Sequence, residues 1–136
     1  MKDIKVKWTG KYPALCHGYW IIEIDWKSTK NFLDDYGSRL EDLNDEEKEL
    51  YNLLTSPMWT FWTYNRRYFD NKYNEHWEEY TNGLEFDEWF ESDYKKWLEK
   101  IFKLIWIKEL TKEEWKDLYN KIQKKDFRME SCGGCI

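Results

Sequence analysis

The hydrophobic period of this chain changes once, after Trp26. Before it the chain alternates: Ile4, Val6 and Trp8 fall on one side with Lys5 and Lys7 on the other, and Trp20, Ile22, Ile24 and Trp26 oppose Glu23 and Asp25. A period of two belongs to half-buried strands. The expected strands span Asp3 to Thr9 and Tyr19 to Trp26, joined antiparallel by a connection containing Gly10, Pro13 and Gly18. A lone hairpin is marginal in water and needs a partner to pack on.

Beyond Trp26 the apolar residues recur at helical spacing. Ser28 or Thr29 opens a short helix through Phe32, Leu33 and Tyr36 that stops at Gly37. Asn44 with Glu47 three residues later has the spacing of a capping box, ahead of Leu50, Leu53 and Leu54. Ser56 and Pro57 suit a helix start, followed by Met58, Phe61, Trp62, Asn65, Phe69, Tyr73, His76, Trp77 and Tyr80 up to Asn82 and Gly83. One long helix is expected there, and the poor helix propensity of its Trp, Thr, Tyr and Asn residues keeps a pair of strands around Trp59 to Asp70 as the competing reading. A further helix runs from Phe86 through Trp89, Phe90, Trp97, Leu98, Ile101 and Phe102 to Ile105. Thr111 with Glu114 caps the last helix, which carries Trp115, Leu118, Tyr119 and Ile122 and turns at Lys124 to Asp126. The expectation is one α+β domain over residues 1–136, an N-terminal antiparallel β-hairpin packed against about four helices.

Composition narrows the function classes. The 136 residues carry 22 Lys and Arg against 27 Asp and Glu, a formal net charge of −5 that disfavours direct nucleic-acid binding. Arg66 and Arg67 lie among Trp62, Tyr64, Tyr68 and Phe69, a pattern that can stack on bases but more often anchors a protein interface. Neither a membrane span nor a signal-peptide pattern is present, so a cytoplasmic protein is expected. Ten Trp, ten Tyr and seven Phe, 20% of the chain, exceed what a small core encloses comfortably. Trp and Tyr are enriched where one protein grips another, which makes a protein-interaction role the leading class.

Cys132-Gly133-Gly134-Cys135 offers two thiolates at the spacing of half a tetrahedral zinc site. Cys16-His17-Gly18 supplies a third thiolate and an imidazole from the connection between the strands. The expectation is a structural Zn²⁺ on Cys16, His17, Cys132 and Cys135, with His76 as the alternative fourth ligand. A buried Cys16 thiol and a solvated tail form the competing reading.

Acidic residues cluster. Glu75, Glu78, Glu79, Glu85, Asp87, Glu88, Glu91 and Asp93 occupy a stretch with no Lys or Arg, and Asp34, Asp35, Glu41, Asp42, Asp45, Glu46, Glu47 and Glu49 face only Arg39 and Lys48. Both clusters favour a basic protein partner, although solvated helix faces look the same in a sequence. Expected partner-binding residues are Glu75, Glu78, Glu79, Glu85, Asp87, Glu88 and Glu91 together with Trp59, Arg66 and Arg67. Glycine-rich phosphate loops, nucleophile elbows and metalloprotease helices are missing from the sequence, so no enzyme activity is expected.

An acidic, Trp- and Tyr-rich chain with the segment WTGKYPALCHG (Trp8 to Gly18) and a CGGC tail resembles the small phage-encoded anti-CRISPR proteins. The resemblance implies a stoichiometric inhibitor of a type II RNA-guided nuclease that binds a basic recognition lobe or channel and blocks target-DNA loading. Two alternatives stay open at this point, a zinc-stabilised host adaptor and a nucleic-acid-binding protein.

Overall fold

The computed structural model describes residues 1–10, 18–55, 61, 63 and 83–125, and in it the two alternating segments pair as expected. Strand β1 (Ile4–Trp8) runs antiparallel to β2 (Trp20–Ile24), with Ile4 opposite Ile24, Val6 opposite Ile22 and Trp8 opposite Trp20. A short third strand, β3 (Lys27–Ser28), pairs on the other side of β2. The inward side chains of β2, Trp20, Ile22 and Ile24, are all buried, as alternation requires.

Trp26 departs from that pattern. Strand β2 ends at Ile24, and the chain reverses through Asp25 and Trp26, whose φ values are 47° and 74°. Positive φ at both central residues belongs to the tight hairpin turn whose twist matches the flanking strands. The turn therefore lifts Trp26 out of the inward row and leaves it 93% exposed.

Among the described residues five helices follow: α1 (Thr29–Gly37), α2 (Asp45–Leu53), α3 (Phe86–Phe90), α4 (Asp93–Leu104) and α5 (Lys112–Lys125), with a 3-10 turn, Leu40–Asp42, before α2. The fold is α+β. Local hydrogen bonds explain the helix starts. The Ser28 hydroxyl accepts from the Lys30 amide, and Asn44 and Glu47 form a reciprocal capping box at 2.8 and 2.9 Å. Thr111 and Glu114 make the second box, at 2.9 and 3.2 Å. Buried Thr29 joins α1 to the sheet, its hydroxyl accepting from the Ile22 amide and donating to the Trp20 carbonyl.

The single helix expected from Phe86 to Ile105 is two. Ser92 takes an extended N-cap conformation, and its hydroxyl donates to the Trp89 carbonyl instead of letting the helix continue. The long helix expected between Ser56 and Gly83, with its competing strand pair, falls almost wholly outside the described residues; Phe61 and Thr63, which are described, are buried.

Helix α5 lies along β1 and α1 against β2, while α4 packs on α1, α2 and α3. The core between them is built largely of rings. Trp20 meets Trp8 and Phe61 at 5.3 Å between centroids, and Trp89 meets Tyr119 at 5.6 Å and Trp115 at 6.1 Å. Among the described tryptophans, Trp20, Trp89 and Trp115 are buried and Trp8 and Trp97 half-buried. Among the described tryptophans, Trp26 and Trp106 are exposed.

The two chain ends of the described fold are strapped together by charge. Glu114, 3% exposed, accepts from the Lys2 amide at 2.6 Å and from the Lys2 ammonium at 3.3 Å. Lys121 donates to the Ile4 carbonyl at 2.6 Å and pairs with Asp117 at 3.0 Å.

Candidate functional site

The residue pattern of α3 separates two jobs within one turn and a half of helix. Trp89 enters the core fully buried, where rings of Trp115 and Tyr119 hold it, and the Phe86 ring packs on Tyr119 at 5.6 Å. Glu85, Asp87, Glu88 and Glu91 are turned outward and exposed. Among the described residues none of these four carboxylates has an ion-pair partner. Side chains at i and i+3 or i+4 are neighbours on a helix, so Glu85 lies beside Glu88 and Asp87 beside Glu91. Like charges so placed repel, and a basic partner relieves that repulsion.

These four are the part of the expected partner-binding set that the described residues bring together. Glu75, Glu78, Glu79, Trp59, Arg66 and Arg67 lie outside the described residues. So do all the expected zinc ligands, Cys16, His17, Cys132 and Cys135, and the alternative His76. Among the described residues no group of His, Cys, Asp or Glu is arranged to hold a metal ion. The base of the connection that carries Cys16 and His17 is nevertheless visible. Thr9 and Tyr19 exchange hydrogen bonds at 3.1 and 2.8 Å, and a Cβ on Gly18 would lie 2.5 Å from the Gly10 amide nitrogen. Gly18 is required by this backbone-to-backbone approach.

The second acidic cluster is partly neutralised. Arg39 bonds Asp35 at 3.2 Å and lies 4.8 Å over the Tyr36 ring, and Lys100 of α4 reaches Glu46 of α2 at 2.7 Å. Burial, with Glu47 nearby, pushes the Tyr36 phenol above its ordinary pKa. An open groove of about 590 Å³ is lined by Lys7 and Tyr19 of the sheet, Lys30 and Asp34 of α1, and Tyr51 of α2. Burial also raises the Tyr51 phenol, with Tyr19 adding to the shift, so both phenols stay neutral at physiological pH.

The sequence assigned Trp26 to the core face and gave Trp106 no role, and both are exposed. Trp106 follows the C-cap residue Ile105 with φ 64° and is 81% exposed. Its amide donates to the Lys103 carbonyl at 3.3 Å, and the next amide, of Ile107, donates to the Phe102 carbonyl at 2.9 Å. That bond pair is a helix ending whose left-handed position usually holds glycine. No glycine marks either chain reversal in the sequence, so nothing local signalled the two turns.

Among the described residues no helix is long and apolar enough to cross a membrane. No protein-family model, curated protein or solved structure matches the chain.

Proposed function

We propose that this chain is a non-catalytic, protein-binding inhibitor that docks an acidic surface onto a basic surface of its target. The observation that carries this reading is the outward row of Glu85, Asp87, Glu88 and Glu91 on α3, exposed and without cationic partners among the described residues. Trp89 anchors the row in the aromatic core, so the charges sit on a fixed element and little ordering entropy is lost on docking. The target that the anti-CRISPR resemblance implies is the basic recognition lobe or channel of a type II RNA-guided nuclease, with target-DNA loading as the blocked step.

The proposal includes a structural zinc on Cys16, Cys132, Cys135 and His17, with His76 as alternative fourth ligand. A closed four-ligand site serves folding, not hydrolysis, because no position is left for a reacting water. Calorimetric titration of the guide-loaded nuclease with the wild-type chain and with the quadruple variant Glu85→Gln, Asp87→Asn, Glu88→Gln, Glu91→Gln tests the reading. Stoichiometric binding that weakens at least about tenfold in the variant and falls with salt supports it. No heat and no co-elution with the nuclease would remove that target.

A further inference from the structure

The outer face of the sheet meets α1 and α2 in an open groove of about 590 Å³. Alternation builds its floor. The residues between the inward ones turn outward, which sets Lys7 opposite Ile21, and the Thr9 amide bonds the Tyr19 carbonyl just beyond the strands. Half-buried Ile21 and buried Leu33 make that floor apolar. The walls are Lys30 and Asp34, one turn apart on α1, and Tyr51 of α2. Gly37 lets Tyr51 close in, since a Cβ there would lie 3.2 Å from the phenol oxygen. Burial keeps that phenol neutral, so its hydroxyl can donate a hydrogen bond.

The cations of this groove are left over by the fold. Among the described residues neither Lys7 nor Lys30 has an ion-pair partner, whereas Lys5, on the same face of β1, pairs with Asp3 and Glu23. Lys30 precedes Asp34 at the i, i+4 spacing, the weaker order for a helical pair, and the two do not close into one. Lys30 also sits in the first turn of α1, which has no acid, where the helix dipole favours an anion. Lys7 and Lys30 against Asp34 leave the groove one positive charge in excess, in a chain whose formal net charge is −5.

We infer that this groove binds a small organic acid, its single acid group held by the Lys7 and Lys30 ammonium groups and the Tyr51 hydroxyl and its apolar body laid on Ile21 and Leu33. Small-molecule sites combine an apolar lining with a few convergent polar groups in this way. A bare inorganic anion leaves the apolar floor unfilled, and a dianion brings a second charge toward Asp34. None of the α3 carboxylates lines this groove, so the inference goes beyond the acidic surface and stands or falls separately from it.

The test titrates the full chain, ¹⁵N-labelled, with naphthoate, and with neutral naphthylmethanol and inorganic phosphate as controls. Naphthoate is expected to shift the amide signals of Lys7, Ile21, Lys30 and Tyr51 and to bind at least about tenfold more tightly than either control. Both lysines are exposed, so the double variant Lys7→Gln, Lys30→Gln keeps the core and is expected to weaken naphthoate about tenfold. Asp34→Asn, which removes the opposing charge, is expected to tighten it. Unmoved amide signals throughout the titration, equal affinity in the double lysine variant, or weaker binding in Asp34→Asn would overturn the inference. So would phosphate binding as tightly as naphthoate, the mark of an adventitious ion only. A dimer in sedimentation that dissociates in the double lysine variant would also overturn it, because carboxylates of a second copy would then fill the groove.

Discussion

Replacing Trp26 by glycine removes the largest side chain in the sequence, yet the geometry of its turn predicts little or no loss of stability. The indole is 93% exposed, so at most roughly 20 Å² of its surface is buried, worth about 0.5 kcal/mol. Against this stands relief of the left-handed backbone at φ 74°, about 1–2 kcal/mol for a residue with a Cβ. Glycine also adds freedom to the unfolded chain, which costs about 0.4–1 kcal/mol. The net ranges from about 0.5 kcal/mol destabilising to about 1 kcal/mol stabilising. Alanine is the sharper comparison, because it keeps the backbone strain and loses the same small contact. Urea denaturation followed by far-ultraviolet circular dichroism should rank Trp26→Gly above Trp26→Ala by about 1 kcal/mol, the reverse of the order inside a helix. Truncating buried Trp89 to alanine should cost about 3–5 kcal/mol in the same assay. A Trp26→Gly loss near the Trp89 value, or alanine more stable than glycine at position 26, would refute the assignment of this turn.

Hydrogen bonds from Thr111 and Lys2 outweigh burial and lower the Glu114 carboxyl from 4.5 to about 2. A depressed folded-state value stabilises fully above pH 4.5 and is lost as pH falls toward 2, so acid titration of the wild-type chain should show a loss of roughly 3 kcal/mol over that window that Glu114→Gln lacks; parallel acid curves would contradict the strap. Gly18→Ala forces a Cβ against the Gly10 amide, and should lower stability by about 1–3 kcal/mol in chemical denaturation. The zinc proposal expects about one metal per chain by elemental analysis and a lower melting temperature in Cys132→Ser or after chelation. Metal-free protein with an unchanged transition would remove it.

Much of the fold was legible because its signals are local. Asn44 with Glu47 and Thr111 with Glu114 satisfy each other within one turn, so spacing alone located two helix starts. The alternation of Ile4, Val6 and Trp8 against Trp20, Ile22 and Ile24 set the register of β1 and β2. What escaped depended on where an element stops. The period of two ran on through Trp26 because Asp25 and Trp26 make a turn without its usual glycine. The helical period ran through Ser92 because α3 and α4 present Trp89 and Leu98 to the same core, so the break leaves no gap in the pattern. The aromatic excess suggested a sticky surface, and among the described residues many of the rings also build the core, as Phe102 does against Trp115 at 5.7 Å. The acidic run of α3 was readable as charge; that its carboxylates lack partners among the described residues required the packed structure.

We propose that this chain blocks a basic surface of a nucleic-acid-handling protein through the carboxylates of α3. The most direct measurement is target-DNA binding by a guide-loaded type II nuclease, titrated with the wild-type chain and with the α3 quadruple variant at fixed ionic strength. Wild-type protein should abolish DNA binding near one equivalent, and the variant, folded by circular dichroism, should need at least about tenfold more. Equal inhibition by both proteins would move the interface away from α3, and DNA binding undisturbed by excess wild-type protein would rule out the proposed inhibition.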